Sequence, residues 1–202
     1  MLIGKKIILE DIYPENIEYL RGWRNDPSIR KYFREWKDIS KPRQQEWYSE
    51  RGNNLNHEHV YFQVMYMDSN IEDEKLRIKE RKIAGCCGLH YIDWRLRSAE
   101  FGCFLGPEFI GKGMGKESLI LLFDFGFKEM NLHKIWCEVY DNNTSAELYR
   151  RIGFVDEGIL RDNYYHEGCY GNSFVMSILE DEWREKYGND VMWNTNNVGI
   201  NQ

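Results

Sequence analysis

Ten consecutive residues, Phe109-Ile110-Gly111-Lys112-Gly113-Met114-Gly115-Lys116-Glu117-Ser118, carry the first chemistry in this sequence. Glycines at alternate positions leave three backbone N–H groups with no Cβ beside them, so an anion can approach closely. The run that follows, Leu119 to Met130, has helical periodicity. A helix start offers unpaired N–H groups and the positive end of its dipole. A strand-like run, Ala99 to Leu105, leads in. Strand, glycine loop and helix start together form an anion cradle suited to the pyrophosphate of a nucleotide-like cofactor. The loop is not a P-loop, because Lys116 is followed by Glu117, and it lacks the GxGxxG spacing of a dinucleotide turn. Taken alone, it also reads as a glycine-rich turn capping a helix.

A second group follows a strand and lies on a helix: Asn142, Ser145, Tyr149 and Gly153-Phe154. Asn142 and Tyr149 are seven residues apart, about two helical turns, so both can face one groove. Helix capping competes as the role of Asn142 and Ser145. The Tyr149 hydroxyl is a weak acid that can donate a proton within hydrogen-bond reach. Glu100 lies on the strand before the loop and alternates with Gly102 and Phe104 on one face, where an ion-paired or a basic carboxylate would fit.

The elements that must hold these groups run along the chain in order. Lys6 to Ile12 reads as a strand and Pro14 opens a helix with Ile17, Leu20 and Trp23 inward. Asn25-Asp26-Pro27 ends it, and Asp26 can cap a short helix to Phe33. Residues 34–41 read as irregular and Pro42 to Gly52 as helical. Val60 to Met67, Lys82 to Ile92, Ala99 to Leu105, Lys134 to Tyr140, Phe154 to Tyr165 and Ser173 to Leu179 read as strands. Between them lie a charged connection, Asp68 to Arg81, the loop helix at about 113–131, and a helix from Asn142 to Ile152 stopped by Gly153. Glu167-Gly168 marks a hairpin turn. The order predicts an α/β domain, a mixed sheet with helices on both faces. One domain covers 1–184, and 185–202 is a polar, Asn-rich tail expected to fray.

Composition narrows the function. The 202 residues suit one domain with a sizeable core. Lys and Arg total 27 against 33 Asp and Glu, a net charge of −6, which disfavours a nucleic-acid partner. It mildly favours a cationic or neutral acceptor. The five cysteines, Cys86, Cys87, Cys103, Cys137 and Cys169, form no CxxC and have no histidine at metal-ligand spacing. They read as reduced thiols, and no metal is expected. With no signal-peptide core and no span-length apolar run, the sequence reads as cytoplasmic, without a membrane partner.

With both groups in view, the chain resembles the GNAT superfamily of acetyl-CoA-dependent N-acetyltransferases over about residues 6–182. Its loop form, Gln/Arg-x-x-Gly-x-Gly/Ala, matches Ile110 to Gly115, and the Asn142, Ser145, Tyr149, Gly153-Phe154 helix matches as well. Asn25-Asp26-Pro27 after Trp23-Arg24, Leu132-His133-Lys134-Ile135, and Gly153-Phe154 with Glu157-Gly158 are similar to the branch of ribosomal-protein and spermidine N-acetyltransferases. Nucleotide-amino-sugar acetyltransferases look similar too. The departure is Ile110, where the family often has Gln or Arg.

The resemblance implies a twisted, mostly antiparallel sheet of about seven strands whose fourth and fifth strands splay apart. It implies acetyl-CoA as cosubstrate. Amides of Gly111, Lys112, Gly113, Met114, Gly115 and Lys116 would hold the pyrophosphate next to Ile110, with Lys112 and Lys116 adding charge. Cys103, Phe104 and Leu105 would offer backbone groups to the pantetheine arm, with Asn142 and Ser145 on its other side. Tyr149 would protonate the leaving thiolate, and Glu100 is the candidate base, although water could serve. The acceptor pocket would draw on Trp23, Tyr32, Phe33, Glu35 and Trp36 and on Tyr164, Tyr165 and His166. The acceptor is read as a small-molecule amine such as a polyamine or amino sugar. A protein N-terminus is the alternative, then a non-catalytic CoA-binding module. A homodimer is the assembly that the branch implies.

Overall fold

The computed structural model describes residues 1–189; the tail from residue 190 onward, including Val191, Met192 and Trp193, lies outside the described residues. Its elements are β1 (Leu2–Ile3), β2 (Ile7–Glu10), α1 (Ile17–Asn25), α2 (Pro27–Arg30), α3 (Lys41–Trp47), β3 (Val60–Tyr66), α4 (Glu74–Lys79), β4 (Lys82–Asp93), β5 (Ser98–Leu105), α5 (Met114–Lys128), β6 (Lys134–Tyr140), α6 (Ser145–Ile152), β7 (Val155–His166), β8 (Cys169–Leu179) and α7 (Glu180–Tyr187). One sheet of eight strands has the order β1-β2-β3-β4-β5-β6-β8-β7. The eighth strand is β1, two residues that pair with Ile8 and Leu9 and are too short to leave a sequence pattern.

Every neighbour pair is antiparallel except β5 with β6. That parallel pair is joined only at Ser98↔Lys134, Ala99↔Ile135 and Glu100↔Trp136. Beyond it β5 continues to Leu105 on β4, and β6 continues to Tyr140 on β8. Each strand therefore has one edge of backbone N–H and C=O groups left open, and such groups demand a partner.

The two faces are packed differently. On one, α5 and α6 cover Leu89, Phe101, Ile135 and Ile178, and the fully buried Trp183 of α7 joins this core and donates from Nε1 to Asp124 at 3.0 Å. On the other, α1 and α3 cover Cys86 and Phe104 with Leu20, Trp47 and Tyr61. Alternation along β5 sends Phe101 to the first face and Phe104 to the second.

Several boundaries differ from the sequence reading. The second helix stops at Arg30 instead of Phe33. The third runs from Lys41 and continues as a π-helical turn, Tyr48–Gly52. Residues 68–81 contain α4, capped by Asp73 accepting from Leu76 N–H at 2.7 Å. Only Ile78 of this short helix is buried, against Ile8, Met65 and Met67, too little for a readable periodicity. The final strands extend to a two-residue turn, with Glu167 at φ 51° and Gly168 at φ 83°. Helix α7 carries regular structure to Tyr187, past residue 184. Among the described residues, no helix is long and apolar enough to cross a membrane.

Candidate active site

The open edges of β5 and β6 form the middle of a cavity of about 940 Å³. It reaches the glycine loop at one end and the layer of α1 to α3 at the other. At the loop end, Gly111 (φ 79°) and Gly113 (φ 83°) adopt left-handed backbone conformations that side chains with a Cβ disfavour. Gly113 is the N-cap of α5, and Gly111, Gly113, Gly115 and Lys116 line the cavity with the exposed Ile110 at its rim. Two loop side chains turn elsewhere. Met114 is buried in the core, so only its backbone is free for the loop. Lys112 places Nζ 5.8 Å from the Phe109 ring centre, and its carbonyl accepts from Lys6 Nζ at 3.3 Å. Glu117, which breaks the P-loop pattern, accepts from the backbone N–H of Lys6 at 3.0 Å and of Lys5, tying the β1–β2 turn to the loop.

In the middle, Cys103, Phe104 and Leu105 line one wall and Cys137, Val139 and Tyr140 the other. Burial pushes the Cys103 thiol up to about 12, so it is a neutral wall and not a nucleophile. Ser145, Leu148 and Tyr149 of α6 approach from the side. The Tyr149 ring packs edge-on to Phe101 at 5.1 Å. Burial, with Cys137 and Cys103 beside it, drives its phenol far above the usual tyrosine range, although Ser145 acts the other way, so the proton stays on oxygen. Asn142 is exposed and outside the cavity lining; Asn143 lines it, with Oδ1 accepting from Ser145 N–H at 2.9 Å. Asn142 and Asn143 are adjacent in the sequence, and the turn before α6 decides which one faces in.

At the last paired position, Glu100 is buried and its carboxylate accepts from Arg34 at 2.8 and 3.3 Å. Arg34 also reaches Glu138 at 3.1 Å, and His90 Nε2 lies 3.7 Å from Glu100. Burial acts to raise the Glu100 pKa, but His90 and the Arg34 charge outweigh it and hold the carboxyl below its ordinary value. The ion-paired reading of Glu100 thus has its partner.

Of the residues expected around the acceptor, Tyr32, Phe33 and Glu35 line the cavity. Glu35 pairs with Arg24 at 2.5 Å, and the Arg24 guanidinium lies 5.2 Å from the Phe33 ring centre. Trp23 instead packs against Gly106, where a Cβ would meet the indole at 2.5 Å, and against Phe109. It supports the loop from below. Trp36 is 79% exposed, with Lys37 over its ring. Tyr164 stacks on Tyr140 at 4.3 Å and donates to Asp141 at 2.8 Å, so it backs a lining residue without lining the cavity. Tyr165 and His166 lie toward the tip of the β7–β8 hairpin, outside the lining. The long hairpin carries them past the cavity.

The sequence reading missed Arg34, His90 and Glu138, and also Gln44, Trp47, Arg51 and Tyr61, all of which line the cavity. Alternation on β6 could have found Glu138. Arg34 sits in an irregular stretch that carries no pattern. Among the described residues there is no group of three or more His, Cys, Asp or Glu that could hold a metal ion.

A cavity between splayed parallel strands, closed at one end by a glycine loop on a helix start, leaves room for an extended ligand beside a buried tyrosine. Comparison with known proteins agrees. Residues 6–155 match the family described as the acetyltransferase (GNAT) domain, and the chain belongs to that family of N-acetyltransferases. An uncharacterised N-acetyltransferase, p20 of Bacillus licheniformis, is 28% identical over 90% of this chain and 97% of its own length. The spermidine N(1)-acetyltransferase of Vibrio cholerae is 33% identical over 52% of this chain and 61% of its own length. The putative ribosomal N-acetyltransferase YdaF of Bacillus subtilis is 33% identical over 50% and 56%. The crystal structure of the Vibrio cholerae spermidine N-acetyltransferase with CoA and spermine superposes with a TM-score of 0.77 at 25% identity, covering 89% of this chain and 99% of that one.

Proposed function

We propose that this protein moves the acetyl group of acetyl-CoA to the primary amine of a small molecule, by direct attack with both bound. The observation that carries this reading is the three-residue pairing of β5 with β6, which leaves a gap where an extended arm can bond both open edges. The residues present fit the cofactor. Bare amides at Gly111, Gly113 and Gly115, with Lys116 beside them, suit the pyrophosphate. The free edge of Cys103 to Leu105 suits the amides of the arm, with Asn143 and Ser145 opposite in the role expected of Asn142.

The bound thioester supplies an electrophilic carbonyl. A backbone N–H near Phe104 or Leu105 faces the negative charge that develops on its oxygen. Tyr149, held protonated by burial, gives its proton to the departing sulfur. Glu100 and Glu138 attract the acceptor's ammonium, since two carboxylates there share one guanidinium, Arg34. Because His90 and Arg34 keep Glu100 ionised, it serves first to orient the amine and then passes the amine's proton on to water.

Thiol release from acetyl-CoA across a panel of polyamines, amino sugars, amino acids and short peptides tests this reading. Turnover with at least one small amine is expected. Acetyl-CoA binding without release on any amine would leave a non-catalytic CoA-binding module; preference for peptides would move the acceptor to a protein N-terminus.

A further inference from the structure

The cavity continues past Glu100 to an end that acetyl transfer itself does not use. Gln44 and Trp47, three apart on α3, face it together, and Arg51 follows in the π-helical turn. Arg24 of α1 and Tyr61 of β3 complete it.

Among the described residues, three features here lack a partner. Gln44 is 1% exposed, yet its Oε1 accepts no hydrogen bond. The Arg24 Nε–H is also buried and unpartnered, although another nitrogen of that guanidinium meets Glu35. Arg51 makes no ion pair with a carboxylate among the described residues. Both guanidiniums act on Tyr61, which lines the same cavity: burial raises its hydroxyl pKa, and the Arg51 and Arg24 charges oppose that rise. Unsatisfied buried donors and acceptors are costly and rare in folded proteins. A buried acceptor and a buried donor without partners, on two residues that line the cavity beside an unpaired cation, describe a site for a polar, anionic group.

The opposite sign prevails at the strand gap. Glu100 and Glu138 share Arg34 there, leaving one negative charge in excess. With Glu35 offsetting Arg24, the cavity is dipolar, negative beside the reacting centre and positive at Arg51. A polyamine anchored at Glu100 would drive a remote ammonium group against Arg51.

Building on the acetyl-transfer reading, we infer that the acceptor is a zwitterion. It is a primary amine whose far end carries a carboxylate or phosphate bound by Arg51 and the Arg24 Nε–H, with a hydroxyl or amide N–H donating to Gln44 Oε1. The strand gap positions the ammonium, and the far lobe selects the anion.

Paired acceptors differing only in the anion test this inference: an amino carboxylate against its carboxamide, and glucosamine phosphate against glucosamine, with spermidine as the polycation. At saturating acetyl-CoA, the anionic member of at least one pair should exceed its neutral twin in kcat/KM by about tenfold or more. The pair that responds distinguishes carboxylate from phosphate. Arg51→Gln should shrink the ratio to about threefold or less, and Arg51→Lys should keep part of it, as a point charge without the guanidinium fork does. Equal use of both twins, preference for spermidine, or equal loss on both twins in Arg51→Gln overturns the inference. Titration of the same ligands into CoA-loaded protein separates the two readings. Anion-dependent binding abolished in Arg51→Gln, without thiol release, keeps the subsite and removes the catalytic role. No anion dependence in either measurement removes the subsite alone if some other amine is acetylated.

Discussion

The two ends of the cavity are built from different materials. The loop end is backbone: amides freed by Gly111 and Gly113, a helix start, and the unpaired edges of β5 and β6. The far end is side chain: Arg34 from an irregular stretch, Gln44 and Trp47 from α3, Tyr61 from β3, His90 from β4 and Glu138 from β6. Backbone recognition suits a ligand that does not vary, since any residue with the right φ supplies the amide. Side-chain recognition suits a ligand that does, because each position can change without moving the sheet. Between the two stands Tyr149, whose proton is kept in place by the burial that both ends share.

Substitutions can break or sharpen this contrast, beginning at the centre. Tyr149→Phe removes the proton donor and keeps the ring on Phe101, so kcat should fall by about a hundredfold or more. Acetyl-CoA affinity measured by titration should change less than about threefold, as expected when only a transition-state contact is lost. In the intact enzyme the kcat–pH profile should show no falling limb near the ordinary tyrosine value of about 10, because the raised pKa keeps the phenol protonated beyond it.

At the backbone end, Gly113→Val forces a β-branched residue to φ 83°. The strain, on the order of 1–3 kcal/mol, should appear as an acetyl-CoA Kd about five- to 150-fold higher. Acceptor selectivity should stay constant; a changed ranking of acceptors would contradict the separation of the two ends. At the side-chain end, Glu100→Gln should lower kcat/KM for the amine by about tenfold while leaving the acetyl-CoA Kd unaltered. A pH consequence follows. The folded pKa of Glu100 is depressed, so its stabilising contribution is complete above the unfolded value of about 4.3 and disappears as pH falls through the folded one. The melting temperature of the wild type should therefore drop more steeply below that pH than that of Glu100→Gln. The smallest effect is expected at Ile110, exposed on the rim of the loop. Ile110→Gln restores the common family side chain and should tighten acetyl-CoA by about threefold, the net worth of one added hydrogen bond.

The fold was largely legible because its strands are long and its punctuation strong. Val60 to Tyr66, Lys82 to Asp93 and Lys134 to Tyr140 appear close to where alternation and β-branched runs place them. What escaped was short or weakly patterned: β1 has two residues, and α4 has one buried side chain in six. In the site the same division holds. Gly111, Gly113, Gly115 and Tyr149 reach the cavity, being tied to a loop and a helix whose local geometry they set. Trp23, Trp36 and His166 do not, because aromatic character says nothing about which layer a side chain will meet.

By itself, then, the sequence determined the strand–loop–helix cradle, the helix carrying Tyr149 and the α/β order around them. These are local, written in the φ demands of glycine and in periodicities of two and 3.6 residues. Tertiary structure alone decided that Arg34 lies across Glu100 and Glu138, that Asn143 and not Asn142 lines the cavity, and that Gln44, Arg24 and Arg51 line it too. Those meetings join residues from separate elements, and nothing in the spacing of distant side chains records which of them packing will bring together.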